Sequence, residues 1–535
     1  MQTKRSTSQT VKLSVTVKCH LERKYNAVSL NQINTAIRRW IEADVHRGIR
    51  TVHVAVDDSA AMRALRVKPV SGKATAHKIK RAIDDLWKRL TPDYLVLFGG
   101  ADIVPMFEVV NPSHDAKGDD DEKVPTDNPY ACSLRFSSSK RQTYLVPDRV
   151  IGRMPDMLSD NDPAWFVDYL ETATCWRSQP ASFYNEKFAI CCNSWKRAGL
   201  ECIRYIARSG RPVSHLFISP PISDISTSAR KHLSARLHMI KCHGSQLDPK
   251  FYGQERKRYP EAIASATLKP RLKPATFAAA TCCYGAQIFS PADPGAIKPG
   301  EWPLASTYLR KGALGFVGST MIAWLGDSEI SYADWIVAAY LKSILGGSSI
   351  GRAFLESKQD YVRWINQQGY AIDLMDEKTL IEYVLLGDPS IHPVSSVPHP
   401  EKALSLEERR QRRVARAHMA AQIRELLPVR SRATTAASAM AQKVFIRARS
   451  STATGFKGSK DFRCKPTAAL VEKLSTTLRV PMAGRKRPGV IRNRQSLQYY
   501  WSERRVRNGH KEIRLLKAET DPKGNLWRTS VIHSS

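Results

Sequence analysis

Leu237-His238-Met239-Ile240-Lys241-Cys242-His243-Gly244 and Ala275-Thr276-Phe277-Ala278-Ala279-Ala280-Thr281-Cys282-Cys283-Tyr284-Gly285 are two apolar runs with similar endings. Each has the length and composition of a short buried strand. One ends in an imidazole and the other in a thiol, and each is joined to a glycine. A helical stretch at about 226–235 precedes the first run. Before it come a strand at 213–218, a helix at about 196–209, a strand at 188–192 and a helix at about 162–176. Nearer the N-terminus, Ile33, Ile37 and Ile41 recur at helical spacing within 29–44. A strand is expected at 51–56, a loop at 66–75 and an amphipathic helix at 76–90 carrying Ile79, Ile83 and Leu86. A buried strand at 93–98 then ends in Gly99-Gly100. Residues 1–25 lack a clear period and read as an irregular or short β entry. Downstream, 312–318 is a further strand, helices at about 331–346 and 348–366 cover the sheet, and 385–391 closes the region. Strand alternating with helix predicts an α/β fold, a three-layer sandwich around a central, mostly parallel sheet. Such sheets gather their sites at strand ends.

The chain has 535 residues, enough for two to four domains. The expected division is an N-terminal α/β subdomain at 1–110 and a larger α/β domain at 111–398 that carries both runs. A basic helix and flexible linker follow at 399–462, then a small basic module at 463–535. The net charge is +33. Residues 401–535 hold 31 Lys and Arg against 10 Asp and Glu, a surplus of +21, so this C-terminal extension is strongly basic. Its Tyr499-Tyr500-Trp501 lies between Arg485-Lys486-Arg487 and Arg504-Arg505. Cationic side chains with interleaved aromatics suit phosphate contact and base stacking. The partners expected for 401–535 are nucleic acid or an acidic protein. A solvated basic surface is the plain alternative.

The ten cysteines include two adjacent pairs, Cys191-Cys192 and Cys282-Cys283, and no CxxC. That argues against a zinc ribbon and for free thiols in a reducing compartment. Residues 1–18 are polar, without the apolar core of a signal peptide. The most apolar stretch, 312–326, is too short to span a bilayer. The expectation is a cytoplasmic chain with no membrane partner. The acidic run Asp119-Asp120-Asp121-Glu122 reads as an exposed loop.

An imidazole beside a thiol generates the thiolate and returns the proton to the leaving group. Glycine after the histidine admits a carbonyl closely. The N–H groups of Gly244 and of the nucleophilic cysteine could then hold an oxyanion. Lone histidines in α/β proteins are commonly structural, however, and cysteine is among the most buried residues. A metal held by Cys242, His243, Cys282 and Cys283 would need adjacent ligands, a poor tetrahedral set. No metal or cofactor is expected.

Several ordered segments resemble the gingipain-type (C25-like) cysteine peptidases of the caspase-fold clan. They are Leu95-Val96-Leu97-Phe98-Gly99-Gly100-Ala101-Asp102-Ile103-Val104-Pro105, Thr126-Asp127-Asn128-Pro129-Tyr130-Ala131 and Pro147-Asp148-Arg149-Val150-Ile151-Gly152-Arg153-Met154-Pro155. Cys242-His243-Gly244-Ser245, Thr281-Cys282-Cys283-Tyr284-Gly285-Ala286 and Leu385-Leu386-Gly387-Asp388-Pro389-Ser390 follow. The resemblance implies a caspase-like sandwich and peptide-bond hydrolysis through a thioester on a protein or peptide substrate. It places His243 at the catalytic histidine and Gly244 at the oxyanion glycine. Cys283, with Gly285 two residues on, is the favoured nucleophile. Cys282 is the alternative, because the doubled cysteine departs from the family pattern. Asp248 is a candidate floor for a substrate-binding pocket, although a turn before Pro249 also explains it. The competing expectation is an inactive caspase-fold scaffold that binds nucleic acid or an acidic protein through its basic C-terminal region.

Overall fold

The computed structural model describes residues 9–114, 119–207, 216–223, 227–368, 372–395 and 406–426, and strands at 489–492, 497–507, 510–520 and 526–534. The linker expected at 429–462 lies outside the described residues.

Ten strands form one central sheet. They are β1 (Thr10–Thr16), β2 (Ile49–Ala55), β3 (Tyr94–Phe98), β4 (Ile151–Met154), β5 (Phe188–Cys192), β6 (Leu216–Ser219), β7 (Leu237–Lys241), β8 (Phe277–Ala280), β9 (Gly315–Ser319) and β10 (Tyr383–Gly387). The spatial order is β2-β1-β3-β4-β10-β9-β8-β7-β5-β6. Every neighbouring pair is parallel except β9 with β10. The direction of the sheet therefore reverses at one seam. The carboxyl ends of β5, β7, β8 and β9 share an edge with the amino end of β10. Both runs that opened the sequence reading end on that edge.

The fold is the expected α/β one, a mostly parallel sheet with helices, consistent with a caspase-like sandwich. Helix Ala76–Leu90 buries Ile79, Ile83 and Leu86 at its expected period. Helix Ala27–His46 starts where the Asn26 side chain accepts from the Ser29 N–H. It buries Ile33, Ile37 and Trp40. Helix Ala333–Leu345 is buried over most of its length, as suits a helix packed between the sheet and helix Ile350–Gln367.

The N-terminal entry is more ordered than its sequence suggests. β1 is an interior strand, paired to β2 on one side and β3 on the other. Its polar residues are buried as well. The Lys12 ammonium lies 2.6 Å from both Asp44 and Asp388. Asp388 also accepts the Trp40 indole N–H at 2.9 Å. The Leu-Gly-Asp-Pro-Ser segment after β10 is thus a staple to the N-terminal strands. Arg153 works similarly. It donates two hydrogen bonds to the Asp127 carboxylate, at 2.9 and 2.6 Å. It also reaches the carbonyls of Gly99 and Val104, each at 2.8 Å. One guanidinium therefore joins three of the sequence segments that carry the resemblance.

The acidic run is exposed as expected only at Asp120 and Glu122, while Asp119 and Asp121 turn inward. Asp119 is fully buried against Lys378, and Asp121 lies 3.4 Å from the same ammonium. A buried lysine needs a carboxylate partner, and the acidic run supplies it from 259 residues away.

The C-terminal strands Gly489–Arg492, Leu497–Arg507, His510–Thr520 and Leu526–Ser534 form an antiparallel sheet. Its last strand continues onto Leu325–Gly326, in the segment that follows β9. Among the described residues, no helix is long and apolar enough to cross a membrane.

Candidate active site

β7 and β8 are parallel neighbours, with Ile240 level with Ala280. His243 and Cys283 each lie three residues beyond that pair, so the register carries both to the same height. His243 turns into a small antiparallel hairpin, where it pairs with Tyr252 and Gly244 pairs with Phe251. The backbone of Gly244 runs against Cys283. A Cβ at Gly244 would stand 2.0 Å from the Cys283 carbonyl oxygen. Only glycine fits there.

The two cysteines face different surroundings. Cys282 is fully buried, with its Sγ 3.9 Å from the Ile240 carbonyl oxygen. Burial raises its thiol well above the ordinary range, as it does for Cys242 nearby. Cys283 instead accepts the Ala323 N–H on its Sγ at 3.2 Å. The same sulfur lies 3.6 Å from the Ala323 carbonyl oxygen, to which its S–H donates. The chain then turns sharply at Tyr284, whose φ is 53°. That left-handed conformation is costly for a non-glycine residue.

His243 is buried and walled by aromatic rings. Trp195, just past β5, has its ring centre 4.3 Å from the imidazole, and Tyr259 stands edge-on at 5.3 Å. The imidazole Nε2 lies 2.8 Å from Gln254 Oε1. An amide oxygen only accepts, so Nε2 carries the proton. In the neutral ring Nδ1 is then the basic nitrogen. The Gln254 amide donates onward to the Tyr259 hydroxyl at 2.9 Å.

Asp248 is buried and accepts the Tyr252 hydroxyl at 2.8 Å. It belongs to the same hairpin as His243.

Four further groups were not picked out from sequence. Gln254 and Trp195 bear on the imidazole, and Ala323 bears on the sulfur. The fourth is Asp121, whose carboxylate accepts the Tyr284 hydroxyl at 3.0 Å and the Ile322 N–H at 3.2 Å. Asp121 thereby ties together the two segments on either side of the Cys283 sulfur. Only the spacing of Gln254 from His243 within one hairpin could have hinted at any of them.

A solved structure titled "Structure of Protease" is 15% identical, with a TM-score of 0.49, over 72% of this chain and 78% of that one. No curated protein matches. The model described as "Peptidase family C25" matches residues 21–158. That stretch holds β2 to β4 and three of the six segments that carry the resemblance in full, and it ends before His243 and Cys283. At the level of the family, the similarity over residues 21–158 is to the gingipain-type cysteine peptidases.

Proposed function

We propose that the chain is a cysteine endopeptidase with Cys283 as nucleophile, His243 as base and Gln254 as the group that orients the imidazole. The carrying observation is the shared register of β7 and β8, which sets His243 and Cys283 level on one edge of the sheet. His243 Nδ1 takes the Cys283 proton, and the thiolate attacks the scissile carbonyl carbon. The tetrahedral oxyanion collapses to a thioester as the imidazolium protonates the leaving amine. Water, deprotonated by the same imidazole, then releases the acid. Gly244, pressed against the Cys283 backbone, supplies an N–H for the oxyanion together with that of Cys283. Cys282 packs inward and serves the core. Asp248 bears on side-chain preference only through the hairpin, because Tyr252 already engages its carboxylate. Protein or peptide is the substrate class, and an intracellular regulatory role fits the basic C-terminal extension.

The test separates the two thiols. Cys283→Ala is expected to abolish cleavage of a peptide library and labelling by a peptidyl ketone. Cys282→Ala should keep labelling at residue 283 while losing about 1–2 kcal/mol of stability to the cavity it leaves. Labelling that survives in Cys283→Ala and disappears in Cys282→Ala would reverse the assignment. Full cleavage in the double variant would end the reading.

A further inference from the structure

The segment after β9 runs past the candidate nucleophile and then offers one backbone edge. Ala323 donates its N–H to the Cys283 sulfur. Two residues on, Leu325 and Gly326 are extended. Gly326 uses both of its backbone groups inward. Its N–H donates to Asp334 Oδ2 at 2.9 Å, and its carbonyl accepts the Lys241 ammonium at 2.9 Å. Lys241 and Asp334 are fully buried and lie 2.6 Å apart, so this edge is braced from behind. Backbone groups of successive residues in an extended segment point to opposite sides. Leu325 therefore presents its N–H and carbonyl outward.

That outward edge is already taken. The strand Leu526–Ser534 lies antiparallel on it, with His533 opposite Leu325 and Ile532 opposite Gly326. On its other side the same strand pairs with His510–Thr520 from Ile513 to Thr520. The C-terminal sheet thus reaches the catalytic body as a β-augmentation, one strand added to an open edge. A peptide held for attack by Cys283 must itself be extended. The braced backbone two residues from the sulfur's own N–H donor is where its main chain would pair.

We infer that the Leu325–Gly326 edge is a strand-binding surface beside the nucleophile and that its resident partner is the chain's own C-terminal strand, Leu526–Ser534, which a substrate peptide must displace. The inference rests on the peptidase reading above. It assigns the C-terminal strand the part of a built-in competitor. In contact with the body, the basic module restrains the enzyme. Lifted away, by a polyanion bound elsewhere on it or by cleavage of the chain before it, it opens the edge.

Three preparations test this: the full chain, the full chain with His533→Pro, and a chain ending at residue 525. Proline at 533 removes the N–H that faces Leu325 while leaving the rest of the strand in place. Two readouts are taken on each, hydrogen exchange at the Leu325 amide and the rate of Cys283 labelling by a peptidyl ketone. Exchange does not depend on catalysis. Both altered chains should exchange Leu325 at least ten times faster and label Cys283 at least ten times faster than the full chain. A synthetic peptide of residues 526–535 should slow the shortened chain competitively with substrate. Faster exchange with unchanged labelling would overturn the competitor role while leaving the peptidase intact. Unchanged exchange in His533→Pro, with secondary structure retained, would overturn the pairing itself. Faster exchange with no labelling of Cys283 in any preparation, although iodoacetamide reaches it, would instead sink the peptidase reading.

Discussion

Gln254 is a neutral residue where many histidine bases rest on a carboxylate, and its amide settles what the imidazole can do. By accepting from Nε2 it fixes one tautomer and leaves Nδ1 the basic nitrogen of the ring. A neutral acceptor also leaves the imidazolium less stabilised than a carboxylate would. Gln254→Glu should therefore move the acid limb of the kcat/KM profile, which reports protonation of the imidazole base in the free enzyme, upward by about one pH unit. Gln254→Leu should lower kcat about 10- to 100-fold with KM little changed, because the ring loses its orientation and not its substrate. Identical pH profiles for the wild type and the Glu variant would mean that Gln254 only fills space. That His243 and Cys283 stand just past the ends of neighbouring strands was legible in the sequence, because each follows a strand-like run and lies near a glycine. Gln254, Ala323 and Asp121 were not. Ala323 acts through a backbone N–H, which no side-chain pattern marks. Asp121 lies 163 residues from the Tyr284 it holds. The doubled cysteine left two candidate sulfurs, and strand alternation could only say that one faces away.

The elements that carry these residues are held to one another by buried ion pairs, and this is where sequence was least informative. Periodicity located most helices and strands, because an apolar face must recur every 3.6 or 2 residues. It failed for β1, whose Lys12 and Ser14 look solvent-facing and are fully buried. It also failed for Asp119 and Asp121 of the acidic run, which turn to Lys378. Lys241 is a third such case. It sits in the strand that leads to His243 and is locked to Asp334 at the start of helix Ala333–Leu345. Removing one member of a buried pair strands the other charge. Lys241→Met alone should cost about 3–5 kcal/mol, and so should Asp334→Leu alone. Lys241→Met with Asp334→Leu should recover most of that loss, since two apolar side chains no longer need each other. Urea midpoints of the four proteins decide it. Additive losses in the double variant would show that the pair is not coupled. Even a stable double variant is expected to be a poorer enzyme, because Gly326 loses its partners for both N–H and carbonyl.

At the scale of the whole molecule, the reversal between β9 and β10 brings the candidate catalytic edge together, and the interior of that region is sensitive to acid. His238, in β7 beside the Cys283 strand, is fully buried. Its ring contacts the Tyr308 hydroxyl at 2.8 Å and the Ala235 carbonyl at 2.9 Å. Burial lowers its pKa from the ordinary 6.5 to about 4. The unfolded chain therefore binds a proton at higher pH than the folded chain does. Stability is fully present above pH 6.5 and is lost as pH falls from 6.5 toward 4. Across that window this one group removes on the order of 3 kcal/mol. His238→Gln cannot titrate and keeps an amide near the Tyr308 hydroxyl. Its unfolding free energy should be lower than wild type at pH 7 and fall less steeply below pH 6. The measurement is the urea midpoint at half-unit steps from pH 8 to pH 4. Parallel curves for the two proteins would show that other groups set the acid limb. Converging curves would assign it to β7, the strand on which the position of His243 depends.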